Sequence, residues 1–322
     1  MPSPPTKGRG ACTNPQGRFE RQEREAFDDG WERAEDAPAA LTTHVTLESP
    51  RRIISRNDSP DIPFEQSINP YRGCEHGCIY CYARPSHAYL DLSPGLDFET
   101  RLFVKPNAAE LLERELARPG YRCSPIALGS NTDPYQPIER EWKITRQVLE
   151  VLARCDHPVT FTSKSALIER DIDLLAPMAA KNLALVFISI ATLDGDLARR
   201  MEPRAASPRR RLETLQRLSE AGIPCGVLTA PLIPQLNEHD LEKVLQAARE
   251  AGAEMAGYTL LRLPYELKEL FEDWLARHYP ERAGHVMSVL RQTRGGKDND
   301  TRFGRRTRGQ GQFADLLQDR FR

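Results

Sequence analysis

The sequence predicts an α/β fold of parallel strands joined by helical crossovers, and three features of the 322-residue chain carry that expectation. Six short apolar runs follow one another from residue 66 onward, each with the length and composition of a buried strand. Helical patterns with recognisable starts and stops fill the intervals. The chain exceeds one ordinary domain but suits a single barrel-like unit with extensions. Six strand-then-helix units imply right-handed crossovers, hence a barrel or an open doubly wound sheet, and either architecture places its ligand at the carboxyl ends of the strands.

The runs are "SINPYRG" (67–73), "SPIALGSN" (124–131), "PVTFTSK" (158–164), "LALVFISIA" (183–191), "IPCGVLTA" (223–230) and "EMAGYTLLR" (254–262). Asn107 with Glu110 reads as a capping box before "AAELLEREL", Ser207 with Pro208 opens "RRRLETLQRLSEAG", and Asn237 opens "EHDLEKVLQAAREAG". Gly222 and Gly252 fall where the last two helices should stop. Residues 1 to about 45 are rich in Pro, Gly and charge without sustained periodicity, so they read as an extended or partly disordered arm with no core element.

Charge and hydropathy narrow the function classes. Forty-five basic residues against 46 acidic give a net charge of −1, so no global field points to a nucleic acid or a membrane. The first thirty residues hold no apolar run fit for a signal peptide. The longest near-continuous apolar run, "LALVFISIATL" (183–193), is well short of the roughly 18–20 residues that cross a bilayer. The expectation is a soluble, cytoplasmic protein with no membrane partner.

Three of the seven cysteines, Cys74, Cys78 and Cys81, lie within eight positions in "INPYRGCEHGCIYCYARPSH" (68–87). In a reducing compartment such spacing reads as metal ligands rather than disulfide partners, and the odd total agrees. Gly73 and Gly77 ease the tight turns. No second Cys-x2-Cys pair supplies a closed zinc site, although His76 or His87 would complete a Cys3His set.

This Cys-x3-Cys-x2-Cys loop, with Tyr80 before its last cysteine, resembles that of the radical S-adenosylmethionine (SAM) enzymes. The resemblance implies a [4Fe–4S] cluster on Cys74, Cys78 and Cys81, with SAM on the fourth iron and an electron donor such as flavodoxin or ferredoxin. Soft thiolates suit such a cluster. It also implies a partial (β/α)6 TIM-like barrel over about residues 66–265, with an N-terminal extension (1–65) and a helical, basic C-terminal extension (266–322). The six strand–helix units agree with that barrel independently of the cysteines.

Carried over residue by residue, the resemblance gives further expectations for the SAM pocket. Tyr80 belongs to the cluster loop. Ser130, Asn131, Thr132 and Asp133, after the second strand, match a segment that holds the SAM amino group, though "GSNTDP" also reads as an Asp-Pro turn. Ser189, Thr192 and Asp194, at the end of the fourth strand, match contacts to the ribose. Arg204 could meet a carboxylate of SAM or substrate in fork geometry. The arginines at 209–211 read as a solvated helix face. The loop "GCEHGCIYCY" and the Thr-Asp pair are similar to the spore photoproduct lyase-like branch. The lyase carries a hydrogen-donating cysteine near the end of strand two, whereas "LGSNTD" has none.

Cys12, Cys123, Cys155 and Cys225 show no ligand spacing, and Cys123 and Cys225 read as small core residues. The segment 291–313 carries seven basic and two acidic residues with Phe303. It reads either as a grip on nucleic-acid phosphates with a stacking ring, or as a flexible solvated tail. Two rival functions remain at this stage: a zinc-stabilised binding module, and an Fe–S protein that senses or scaffolds without turnover.

Overall fold

The computed structural model describes residues 8–20 and 41–322, and its centre is a parallel sheet whose strands follow chain order. Strands β1 (Gln66–Ile68), β2 (Ile126–Leu128), β3 (Val159–Ser163), β4 (Ala184–Ser189), β5 (Cys225–Leu232) and β6 (Met255–Leu260) each pair in parallel with the next. Ile68 lies opposite Leu128, Leu128 opposite Phe161, Phe161 opposite Val186 and Val186 opposite Cys225. Ile54–Arg56 adds an antiparallel strand outside β1, and β6 is the other edge. The order is therefore linear and open, a partial (β/α)6 barrel.

The helices Ala108–Leu116, Ile144–Arg154, Ile172–Ala180, Pro208–Glu220, Leu241–Glu250 and Leu267–His278 follow the six strands in turn. Parallel strands are covered on both faces and so read as near-continuous apolar runs. β4 is such a run, with Ala184, Val186 and Ile188 buried and Leu185 and Phe187 half-buried. The helix Ile144–Arg154 turns Ile144, Val148, Leu149, Val151 and Leu152 inward at helical spacing. These meet Ile126, Leu128, Val159 and Phe161 in the main core. Each such side chain contributes about 1.5–3 kcal/mol by leaving water.

Ser207 caps as its sequence implies: its Oγ accepts from Arg210 N at 3.3 Å, with Pro208 at the first helical position. Gly222 and Gly252 follow their helices at φ +73° and +94°. Asn107 departs from the capping-box expectation. Its backbone sits at φ −88°, ψ 14° rather than in the extended region from which a side chain can cap, and its buried Oδ1 has no hydrogen-bond partner among the described residues. Asn237 also does not cap. Its amide donates to Ala191 O at 2.7 Å and Pro231 O at 2.9 Å and accepts from Ile233 N at 2.6 Å, tying together the chain beyond β4 and β5.

The described part of the N-terminal arm differs from its expectation too, because Ala11 is fully buried and joins a core cluster with Cys78 and Ile79, while residues 1–7 and 21–40 of that arm lie outside the described residues. At the other end, Ala314 and Leu317 of Gln312–Phe321 pack on Leu241 and Leu260. Among the described residues, no helix is long and apolar enough to cross a membrane.

Candidate metal centre at the barrel mouth

The cysteine loop leaves the carboxyl end of β1. Tyr71 and Arg72 pair antiparallel with Val104 and Phe103, which turns the chain across the mouth. Gly73 and Gly77 adopt φ +74° and +67°, backbone that a side chain would strain. Cys74 N donates to Phe98 O at 2.9 Å, and Gly77 N and Cys81 N close turns on the carbonyls of Cys74 and Cys78 at 3.3 and 3.2 Å. Cys74 and Cys78 are buried, Cys81 is half-buried, and none is in a disulfide.

This donor set fits an iron–sulfur cluster. Burial pushes the Cys74 thiol up, and the nearby charges of Asp133, Cys78 and Cys81 push it further. Burial likewise pushes Cys78 up to about 12, with Lys164 opposing and Glu202 and Cys81 reinforcing. Such a set ionises when metal charge enters with it, since metal binding drives off the thiol protons. Among the described residues, no three His, Cys, Asp or Glu side chains are grouped around a single-ion site. A polynuclear cluster needs no such grouping, because its thiolates bind different irons. Each of the two histidines weighed for a Cys3His zinc site has one ring nitrogen turned to another group, and His87 Nδ1 is buried with no hydrogen-bond partner among the described residues. His76 Nδ1 lies 3.3 Å from Asp133 Oδ2, and His87 Nε2 lies 3.0 Å from Arg101 O.

Tyr80 anchors the loop from below. Its hydroxyl donates to Glu202, whose other carboxylate oxygen accepts from Arg211. Arg211 is buried and also donates to Ser189 O at 2.8 Å and Ala206 O at 2.7 Å. The solvated-face expectation therefore fails at Arg211. Helical spacing puts it on the inward stripe with Pro208, Thr214, Leu215 and Leu218, while Arg209 and Arg210 point outward to Glu213 and Glu169. That spacing was legible in the sequence, and it is the signal by which Arg211 could have been found.

The residues after β2 are brought together with the loop. Asn69 Nδ2 donates to Ser130 Oγ at 3.1 Å, and Asn69 Oδ1 accepts from Asn131 N at 2.8 Å. Thr132 Oγ1 donates to Tyr71 O at 3.2 Å. Asp133 accepts from Tyr135 N at 2.9 Å, Ser163 Oγ at 2.8 Å and Lys164 N at 2.7 Å. Burial raises its carboxyl, but His76 and the Lys164 amide and ammonium outweigh burial and hold it at about 2.

At the end of β4, Ser189 is buried with its Oγ 3.4 Å from Ala230 O, and beyond it Thr192 donates to Asp240. Asp194 is exposed and caps the helix Gly195–Met201, accepting from Asp196 N at 2.8 Å and Leu197 N at 3.1 Å. Arg204 pairs with Glu75 of the cysteine loop at 3.2 Å.

Sequence reasoning passed over two other cations at the mouth. Lys164 directly follows β3, its ammonium 5.8 Å from the Tyr80 ring centre. Burial lowers its pKa, yet Cys78 and Glu202 more than compensate, so it stays cationic. Arg262 follows β6, half-buried, with a buried Nε that has no hydrogen-bond partner among the described residues. A basic residue placed just past a strand end was the available signal in both cases.

Cys225 is buried as expected, whereas Cys123 is exposed, because it stands before β2 begins rather than inside it. The basic segment 291–313 is folded onto the barrel, not a loose tail. Arg294 is buried on the carbonyls of Leu260, Leu261, Arg305 and Arg306. Arg291 pairs with Asp298 and Glu272, Arg302 with Asp300, and Arg306 with Asp61. Lys297, Arg305 and Arg308 are exposed and have no acidic partner among the described residues.

The family model described as the Radical SAM superfamily matches residues 68–248. An uncharacterized protein of Mycobacterium tuberculosis is 38% identical over 232 residues, covering 71% of this chain and 68% of that one. An uncharacterized protein of Methanocaldococcus jannaschii is 28% identical over 214 residues, covering 66% and 76%. Among solved structures, spore photoproduct lyase complexed with dinucleoside spore photoproduct superposes with a TM-score of 0.55 at 16% identity, covering 74% of this chain and 66% of that one. A double mutant of the same lyase with bound AdoMet and dinucleoside spore photoproduct gives 0.51 at 16% identity, with the same coverage. At such identity these structures speak for the fold.

Proposed function

Because the chain belongs to the radical SAM superfamily, we propose that it carries a [4Fe–4S] cluster on Cys74, Cys78 and Cys81 and uses it to cleave S-adenosylmethionine reductively, acting on a nucleic acid. The supporting observation is the seating of Cys74, Cys78 and Cys81 in one tight loop at the carboxyl end of β1, ringed by polar residues from the ends of β2, β3 and β4. Bound there, cluster and SAM would supply a one-electron cleavage whose product, after hydrogen transfer, is 5′-deoxyadenosine.

The chain's own residues would orient and shield that chemistry. Tyr80, Glu202 and Arg211 fix the loop, and Asp133 with His76 ties it to β2 and β3. Arg204 is engaged by Glu75, so Lys164 and Arg262 are the better cations for an incoming carboxylate or phosphate. Ser130, Asn131 and Ser189 line the strand ends where the amino and ribose groups of SAM would be received. An electron donor of the flavodoxin or ferredoxin type would be the redox partner.

A nucleic-acid substrate is favoured by Lys297, Arg305 and Arg308, which have no acidic partner among the described residues, and by Phe303, which is 59% exposed. Anaerobic reconstitution followed by reduction with SAM tests the reading. 5′-Deoxyadenosine should form, and an oligonucleotide should raise its yield. A colourless protein with one zinc per chain, or a cluster that never cleaves SAM, would count against it.

A further inference from the structure

Glu99 and Arg84 pair at 2.5 Å with both side chains fully buried. A pair in that setting is stable only if its other lone pairs and N–H groups are satisfied. Arg84 donates to the carbonyls of Gly77 at 3.0 Å, Cys78 at 2.8 Å, Pro94 at 3.1 Å and Gly95 at 2.9 Å, so it grips the cysteine loop from behind. The Glu99 carboxylate accepts from Gly10 N at 3.0 Å and Ala11 N at 2.8 Å, residues nearly ninety positions earlier. Arg9 adds bonds to Glu99 O at 2.9 Å and Leu41 O at 2.7 Å.

The fit of the N-terminal segment is close. A Cβ on Gly10 would stand 1.8 Å from Gly77 O, and one on Gly95 would stand 2.1 Å from Thr13 O. Asn14 exchanges two hydrogen bonds with Asp97, both at 2.9 Å, and Ser93 Oγ donates to Pro15 O at 2.6 Å. Residues 9–15 thus lie flush against the loop at the glycine between its first two cysteines.

We propose that residues 9–15 are a built-in clasp on the cysteine loop, and that Glu99 is a positioning residue holding clasp and Arg84 together so that the three thiols are placed before metal arrives. The clasp covers the loop at Gly77, limiting access to the thiols and to any cluster they hold. The cluster part of this inference rests on the proposed function above, whereas the placement of the thiols does not.

Full-length Gly10→Ala and Glu99→Gln, with Gly284→Ala as control because nothing lies within 4 Å of its added Cβ, are compared with the parent. In the metal-free proteins, Gly10→Ala and Glu99→Gln should speed iodoacetamide labelling of Cys74 and Cys78 while far-UV circular dichroism stays parental. After reconstitution, both should hold iron against a chelator roughly 10–100-fold more weakly, the usual effect of losing a group that supports metal ligands. Their cluster midpoint potential should also shift. Gly284→Ala should match the parent throughout. Parental labelling and iron retention in Gly10→Ala would overturn the clasp. If Glu99→Gln unfolds, Gly10→Ala decides, since it leaves the ion pair in place. If that variant also unfolds, Arg9→Gln decides by the same labelling rates. A parent that labels as described but assembles no cluster would refute the functional reading and leave the clasp standing.

Discussion

His76 Nδ1 of the cysteine loop lies 3.3 Å from Asp133 Oδ2, and the same carboxylate bonds Ser163 Oγ and Lys164 N at the end of β3. One buried side chain therefore joins the mouths of three strands. Asp133→Asn keeps the shape but removes charge-assisted bonds worth on the order of 1.5–3 kcal/mol each. The expected outcome is a lower melting temperature and poorer iron retention, not a loss confined to SAM affinity. With its folded pKa held at about 2, below the ordinary carboxylate value, Asp133 contributes stability that is present above that ordinary value and fades as pH falls toward 2. Melts of parent and variant should converge in strong acid. Normal iron content with weakened SAM binding in calorimetry would instead give Asp133 the ligand role expected from sequence.

Asp194 caps the helix Gly195–Met201 from an exposed position. Asp194→Ala should cost about 1 kcal/mol of stability, the usual loss for such a cap. SAM affinity by calorimetry should stay parental. A tenfold or greater drop in affinity would place this carboxylate on the ribose.

Arg211→Met would leave the Glu202 carboxylate buried without its salt-bridge partner, with Lys164 the other cation acting on it. Breaking a buried pair on one side typically costs about 3–5 kcal/mol, so the variant should be among the least stable single substitutions at the mouth. Adding Glu202→Gln should recover a large part of that loss in denaturant titrations. No recovery in the double variant would mean that the arginine acts through its bonds to Ser189 and Ala206.

His87 is buried against Phe98 and Phe103, and burial pushes its pKa down to about 4. The unfolded chain binds a proton at this residue between about pH 4 and 6.5, while the folded one does not. Stability from this group is thus complete above about 6.5 and declines as pH falls toward 4, by up to about 3 kcal/mol. His87→Gln should flatten the stability–pH curve in that window. An unchanged slope would assign the acid sensitivity to other groups.

Lys297, Arg305 and Arg308 are the basic residues of 291–313 left for a phosphate backbone, because Arg291, Arg294, Arg302 and Arg306 are held internally. Replacing the three with Gln should reduce the salt slope of oligonucleotide binding by about 2–3, at 0.7–0.9 per neutralised phosphate. Truncation after Leu290 would be a poorer test, since it also removes the buried Arg294 and the Ala314–Leu317 packing. An unchanged slope in the triple variant would mean that this face does not contact nucleic acid.

The sequence by itself determined the features that depend on neighbours along the chain. Six runs became six parallel strands in order. β2 and β4 are largely apolar because both faces are covered. β1 keeps only Gln66–Ile68 of its run, with Tyr71 and Arg72 pairing in a second sheet, and the edge strand β6 leaves Met255 and Ala256 exposed. Ser207 before Pro208, and Gly222 after its helix, settled helix ends through local backbone preference. The spacing of Cys74, Cys78 and Cys81 marked the metal loop. Tertiary structure alone decided which polar groups meet. Glu99 finds Ala11 across 88 positions, and Tyr80 finds Glu202 across 122. Asn107 has a capping residue's identity but not its backbone angles, and Asn237 is drawn between strand ends instead. Periodicity records which side of an element is buried. The partner of a buried charge is fixed only when packing excludes water and leaves that charge one place to go.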